Sequence, residues 1–207
     1  MSDATDKTPS PSIADVESAL GALVMAFSEI ELRIQHLIWA LLDDEDAGQV
    51  VTSAMPFKLA VGAAEQLWHA RASDRAKESM GAPELLEEVR ARDPKASDPV
   101  EYIFKKVRFA EDNRNQLVHS WWPDPSEPYW FRVPPLGVED TTVRWKADRK
   151  TRALKPHRVP LAEIRETAAG FITTANELAF MVGLAMGPNY FGKQPPREQD
   201  SDAVASG

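Results

Sequence analysis

Two long stretches of the chain repeat apolar residues at intervals of three and four, the pattern of an amphipathic helix with one narrow seam. The first stretch follows Ser12, a residue suited to an N-cap, and its apolar positions are Ile13, Val16, Leu20, Leu23, Phe27, Ile30, Ile34, Leu37 and Leu41. This alternation predicts a helix of about eight turns. The acidic run from Asp43 to Asp46, with Gly48, is predicted to end it.

The second stretch lies near the other end of the chain and follows Pro156 and Pro160. Its apolar positions are Leu161, Ile164, Ala168, Phe171, Ala175, Leu178, Val182 and Ala185, and Gly187-Pro188 is predicted to end it. Two seams of this length are too long to be left in water. We therefore predict that the two helices pack along each other, in antiparallel orientation.

Two further helices are predicted between the long ones. One starts at Pro56, and its apolar positions are Leu59, Ala60, Ala63, Leu67 and Ala70. Residues 73–98 follow as a charged linker around a short helix at 83–90. The other starts at Asp98-Pro99, a cap followed by a first-turn proline. Its apolar line is Ile103, Val107, Ala110, Leu117 and Trp121, and Arg114 falls on the same line. A charge at a core-facing position is costly unless it is paired or faces a cleft, so this arginine is a candidate functional residue.

Short aromatic and β-branched segments at Tyr129–Val133 and Thr142–Ala147 predict a small β-hairpin, inserted at about 128–148. The predicted fold class is therefore all-α: a helical bundle with two long antiparallel helices and a small inserted β-hairpin. One helical domain is predicted over 13–187, with disordered tails at 1–12 and 188–207.

Composition narrows the class of protein. The chain has 207 residues, no cysteine and a net charge of −8, so it can bury one core but has no thiolate metal site. The N-terminus shows no signal-peptide pattern and no apolar run approaches a membrane span, so a cytoplasmic protein with no membrane partner is expected.

Charge is unevenly distributed along the chain. The net charge of −8 argues against non-specific coating of nucleic acid, but seven Lys or Arg and one acid lie between Arg144 and Arg158. This basic segment is either a solvated loop or a local contact to phosphate. Its first four basic residues, Arg144, Lys146, Arg149 and Lys150, are the candidate substrate-binding residues.

Candidate chemistry is concentrated in Arg114, Asn115 and His119. A guanidinium can hold a phosphate through two parallel hydrogen bonds, and an imidazole can move a proton near neutral pH. On a helix Asn115 and His119 share a face, whereas Arg114 lies about 100° from Asn115. A second element, or a second copy of the chain, is needed to complete such a site.

The chain lacks the sequence motifs of several other enzyme classes. The chain has no G-x-S-x-G, no P-loop and no G-x-G-x-x-G, and no glutamate stands three residues before any of its four histidines, as di-iron bundles require. No metal and no cofactor are therefore expected.

A helical protein with Arg-Asn-x-x-x-His late in its penultimate long helix, here Arg114 to His119, resembles the HEPN superfamily. A second pair at the same spacing, Arg152 and His157, has Pro156 inside it and is predicted to lie in a loop. The resemblance implies an all-helical bundle, commonly a homodimer, and in active members a metal-independent endoribonuclease. Many members are toxins or antiviral defence effectors, often encoded beside a nucleotidyltransferase-like antitoxin.

The resemblance assigns roles to the three residues. Arg114 would hold the scissile phosphate of an RNA, His119 would transfer a proton at the 2′-hydroxyl or the leaving oxygen, and Asn115 would orient the phosphate or the imidazole. One alternative is a catalytically inactive HEPN-like dimer that serves as an interaction module. Another is a non-catalytic bundle that binds a nucleotide.

Overall fold

The structure, a computed structural model, describes residues 11–75, 87, 91, 98–120, 122, 141–147 and 154–186. In this part of the chain there are five helices and one antiparallel pair of strands. The helices are α1 (Ile13–Leu42), α2 (Glu45–Thr52), α3 (Phe57–Arg75), α4 (Pro99–Val118) and α5 (Leu161–Met186), and the strands are β1 (Thr141–Ala147) and β2 (Leu154–Pro160). The predicted class, mostly helix with one small hairpin, is confirmed.

These elements form two compact units. Unit 1 takes α1 as far as Leu32, α4 from Val100, the hairpin, and α5 as far as Asn176. Unit 2 takes the rest of α1, α2, α3, and α5 from Glu177. Both long helices thus contribute to both units, and the single domain over 13–187 stays a prediction. Apart from Pro11 and Ser12, the two predicted tails lie outside the described residues, as does most of the predicted linker.

The helix α1 begins and buries its seam as predicted. Ser12 Oγ accepts a hydrogen bond from the Asp15 amide (3.2 Å), and the Ser12 amide and hydroxyl both donate to the Asp15 carboxylate (3.0 and 2.7 Å). The two bonds to the carboxylate lower the pKa of Asp15 below its ordinary value, the one from the Ser12 hydroxyl most strongly. Within unit 1 the rings of Phe27 and Phe171 meet edge-on with centroids 5.9 Å apart, so α1 and α5 contact there. Their antiparallel orientation stays a prediction.

The helix α2 was not predicted from the sequence. Asp44 is its N-cap and accepts a hydrogen bond from the Ala47 amide (2.9 Å), while Glu45 and Asp46 occupy its first turn. Acidic residues oppose the dipole at a helix C-terminus and favour it at an N-terminus, so the acidic run marks the start of α2. The chain turns between the helices at Asp43, whose φ is 59°.

The buried face of α3 was predicted correctly only in part: Ala60 is buried as predicted, but Leu59 is not. Leu59 is 63% exposed, whereas the buried residues are Ala60, Val61, Ala64 and Trp68. Burying the large indole of Trp68 removes more apolar area from water than burying Leu59 would, and this outweighs the simple periodic pattern.

The hairpin is displaced from its predicted position. Thr142–Ala147 is strand as predicted, but its partner is Leu154–Pro160; the predicted partner, Tyr129–Val133, lies outside the described residues. The expectation that Arg152 to His157 lies in a loop was therefore wrong for its second half. Proline is tolerated in β2 because both strands of a two-stranded sheet are edges, where one missing amide donor does not break a ladder.

The helix α5 is also apolar over most of its length. By length and composition it could cross a membrane, whereas no apolar run of that length was expected from the sequence. A helix that packs in a protein core meets the same two criteria, and half of this stretch is buried inside the protein, including Phe171, Leu178 and Met181.

Candidate functional site

The candidate site lies at the C-terminal end of α4, within unit 1. Ile103, Val107, Ala110 and Leu117 of this helix are buried, as predicted from their common line. Arg114, on the same line, is half-buried. The pattern therefore identified correctly a charge that faces inward.

Two contacts hold the Arg114 guanidinium. Its Cζ lies 5.3 Å from the centroid of the Phe27 ring, and its Nη1 donates to Asn115 Oδ1 at 2.9 Å. At this distance the positive charge of the guanidinium is attracted to the face of the aromatic ring. Arg114 Nε is buried and has no hydrogen-bond partner among the described residues.

The structure joins two of the three candidate catalytic residues. Arg114 and Asn115 are linked by their side-chain hydrogen bond although they point in different directions on the helix. His119 lies in the turn that follows α4, its amide donates to Asn115 O (3.3 Å), and its side chain is exposed. Arg114 and Asn115 thus form a half-buried, hydrogen-bonded pair, and His119 is exposed at the end of the helix.

Side chains from other segments cover the last carbonyl groups of α4. Trp122 Nε1 donates to Leu117 O at 3.0 Å, and Arg144 Nη1 donates to Gln116 O at 2.7 Å. A cation is favourable at this negative end of a helix. Arg144, a predicted substrate-binding residue, therefore attaches the hairpin to the helix that carries Arg114.

The hairpin register places further basic residues near Arg144. His157 is opposite Arg144 and Lys155 is opposite Lys146, so all four lie on one face of the hairpin. His157 and Lys155 are exposed and Lys146 is half-buried. These two β2 residues were not predicted as site residues, because β1 was predicted to pair with Tyr129–Val133. Arg149 and Lys150 lie outside the described residues.

A carboxyl group on α1 responds electrostatically to Arg114. Burial raises the pKa of Glu31 above its ordinary value; Arg114 opposes this shift and Glu111 adds to it. Glu31 follows Phe27 by one helical turn and so lies on the same side of α1. Glu31 was not predicted from the sequence, because only the contact between Phe27 and Arg114 places this side of α1 at the candidate site.

A groove of about 430 Å³ runs between α4 and α5, also within unit 1. On the α4 side it is lined by Lys106, Phe109, Ala110 and Asn113. The α5 side includes Glu163, Glu166, Gly170 and Phe171. Asn113, which lines this groove, is the chain neighbour of Arg114.

Among the described residues, no group of three or more His, Cys, Asp or Glu side chains could hold a metal ion. No protein-family model matches the chain, and neither a curated protein nor a solved structure matches it. The HEPN resemblance therefore rests on the motif and on the helical architecture.

Proposed function

We propose that the protein is a metal-independent endoribonuclease of HEPN type, with Arg114, Asn115 and His119 as its catalytic residues. The observation that carries this proposal is the state of Arg114. It is held by the Phe27 ring and by Asn115, and its Nε has no hydrogen-bond partner among the described residues. A buried donor without an acceptor costs about 1–3 kcal/mol, and a phosphate oxygen is an acceptor that suits a guanidinium.

The position of His119 suits a polymeric substrate. An exposed imidazole at a helix end can be reached by an RNA strand. His119 takes the proton of the 2′-hydroxyl, the 2′-oxygen attacks phosphorus, and the bond from phosphorus to the 5′-oxygen breaks. The protonated imidazole then returns the proton to that oxygen. The products are a 2′,3′-cyclic phosphate and a 5′-hydroxyl end, while Arg114 stabilises the charge on phosphate.

The basic face of the hairpin completes this proposal. Arg144 fixes the hairpin to α4 through Gln116 O, and Lys146, with Arg149 and Lys150, would hold the flanking phosphates of the RNA. Such contacts position a strand without reading its sequence. We propose cytoplasmic action as a toxin or antiviral defence effector, as a homodimer, with an antitoxin of nucleotidyltransferase type as a cognate partner.

The groove favours a second candidate function. Phe109 on its α4 side is 64% exposed, and a large exposed aromatic side chain beside a groove is typical of a protein-binding surface. In this case the protein is a catalytically inactive HEPN-like dimer that binds another molecule. Arg114 then has a structural role through Phe27 and Asn115.

Incubation of the purified chain with labelled single-stranded RNA separates the two candidates. The ribonuclease is expected to cut in the presence of excess chelator and to leave 2′,3′-cyclic phosphate ends. A matched strand with 2′-deoxyribose throughout is the control and should remain intact, because it lacks the attacking hydroxyl. If RNA and control both stay uncut under all conditions, the interaction module replaces the enzyme.

A further inference from the structure

His157 belongs to the second pair of arginine and histidine in the sequence, which the proposed function leaves unused. It lies in β2, and its side chain is exposed. The antiparallel register places it directly opposite Arg144 of β1. Side chains at opposite positions share a face of the sheet, with their Cβ atoms about 5 Å apart. His157 is therefore on the same face of the hairpin as Arg144.

Arg144 connects this face of the hairpin to the end of α4. Its Nη1 donates to Gln116 O at 2.7 Å, so its side chain extends from β1 to the last turn of the helix. His119 follows Gln116 by three residues, in the turn where the helix ends. One arginine side chain and less than one helical turn thus separate the two exposed histidines.

Positive charge at this end of α4 comes from Arg114 and Arg144. Each has a buried Nε without a hydrogen-bond partner among the described residues. A phosphate oxygen is an acceptor that suits such a donor. A phosphate bound by these arginines would have His119 on the side of α4 and His157 on the side of the hairpin.

Cleavage of RNA requires proton transfer at two oxygens of the phosphate. The attacking 2′-oxygen and the leaving 5′-oxygen are in line, on opposite sides of phosphorus. When His119 serves both oxygens, its imidazole has to move around the phosphate between the two transfers. Two imidazoles on two different elements serve the two oxygens without this movement.

We infer that His157 is a further catalytic residue, the general acid that protonates the leaving 5′-oxygen. The neutral imidazole of His119 takes the proton of the 2′-hydroxyl while the 2′-oxygen bonds to phosphorus. The imidazolium of His157 gives its proton to the 5′-oxygen while the bond from phosphorus to that oxygen breaks. His119 then releases its proton to water and His157 takes one up. This inference rests on the ribonuclease of the proposed function and changes only the source of the last proton.

Two RNA strands that differ in one atom test this role. One is an ordinary single strand, and in the other sulfur replaces the 5′-oxygen at one phosphate; cleavage at that bond is measured in both. A thiol is a much stronger acid than an alcohol, so the sulfur leaves as thiolate and needs no general acid. His157→Ala should therefore cut the oxygen strand about 10²-fold more slowly than wild type, and the sulfur strand as fast as wild type.

Three further variants complete the test. His119→Ala should cut both strands slowly, because the 2′-hydroxyl needs a base in each of them. His69→Ala, at an exposed position on α3, should cut both strands like wild type. His157→Gln keeps a polar side chain at the same strand position, so it replaces His157→Ala if the alanine variant does not fold, and it should give the same result.

The possible outcomes separate this role from the proposed function. Slow cleavage of the oxygen strand alone supports the role of His157. Normal cleavage of the oxygen strand by the His157 variants would overturn that role and leave the ribonuclease proposal intact. Equal slowing of both strands would also overturn it, because His157 would then act in binding or in the structure of the hairpin. A wild type that cuts neither strand would overturn the proposed function together with this role.

Discussion

The corner between α1 and α2 and the end of α4 are both places where a helix stops, but they differ in how their polar groups are satisfied. At the first corner, Trp39 Nε1 donates to Thr52 Oγ1 (2.9 Å), Thr52 donates to Gly48 O (2.9 Å), and Arg71 donates to Leu42 O (3.2 Å). Thr52 is buried with both of these bonds made. The buried polar groups of this corner are hydrogen-bonded, as they are in a stable core.

The end of α4 is organised differently. Arg114 Nε and Arg144 Nε are both buried without a hydrogen-bond partner among the described residues, and a titratable carboxyl, Glu31, has its pKa raised nearby. Unsatisfied donors and perturbed carboxyl groups reduce stability and are concentrated at functional sites. The first corner therefore has the hydrogen bonding of a stable core, whereas the end of α4 has the unpartnered donors on which the proposed binding role rests.

The largest expected effect concerns His119. His119→Ala should lower RNA cleavage by about 10²-fold or more, because it removes the proton-transfer group. The free energy of unfolding should change by less than about 0.5 kcal/mol, since the side chain is exposed. His69→Ala, at an exposed position on α3, is the control and should cleave normally. Equal cleavage by both variants would remove His119 from the mechanism.

At the satisfied corner, Gly48→Ala should reduce stability although alanine is the better helix former. A Cβ there would lie 2.7 Å from Trp39 Cγ and 2.9 Å from its Cα, so the helices must move apart. We expect a loss of about 1–3 kcal/mol in urea unfolding. A gain in stability would show that this corner is loosely packed.

Gly170→Ala should have the opposite effect and increase the stability of the protein. Nothing in the chain lies within 4 Å of the added Cβ, so the backbone entropy of the unfolded chain decides the effect. The free energy of unfolding should be about 0.4–1 kcal/mol higher than in wild type. Gly21→Ala should raise it by a similar amount. Destabilisation by Gly170→Ala alone would mean that the groove is closed within the chain.

The smallest expected effects on stability concern two carboxyl groups of α1, those of Glu31 and Asp15. The pKa of Glu31 is raised, mainly by burial, so its ionised form disfavours folding. This group contributes stability only below its unfolded pKa and loses it as pH rises through the folded pKa. Glu31→Gln should therefore raise the free energy of unfolding at pH 7, and the gain should vanish in acid.

Asp15 provides the contrast on the same helix. Its pKa is lowered by Ser12, so its contribution is present above the unfolded pKa and is lost as pH falls through the lowered folded pKa. Asp15→Asn should therefore reduce stability at pH 7, with an effect opposite to that of Glu31→Gln. Urea titrations at pH values from 3 to 8 measure how the free energy of unfolding of each variant changes with pH.

The long helices were predictable because their seams extend over many turns, where one pattern dominates every local exception. The burial of Arg114 followed from the same reasoning, since its place on the apolar line of α4 is fixed by the helical period. The start of α4 at Pro99 could also be predicted, from a capping residue followed by a first-turn proline.

Other features depend on contacts that a linear pattern does not contain. The acidic run before Gly48 suits either the end of one helix or the start of another, and only the hydrogen bond from Ala47 to Asp44 decides between them. The exposure of His119 follows from the end of α4 at Val118, and element boundaries are the least predictable feature of a sequence. The groove exists only because α4 and α5 are neighbours in space.

Arg114→Lys tests the central claim most directly, because lysine keeps the charge and loses the two-pronged grip on phosphate. We predict that this variant folds like wild type and cleaves RNA about 10²-fold more slowly or worse, the scale of losing one stabilising group in the transition state. Arg108→Lys on the exposed side of the same helix is the matched control and should cleave like wild type. Cleavage by Arg114→Lys at the wild-type rate would contradict the account.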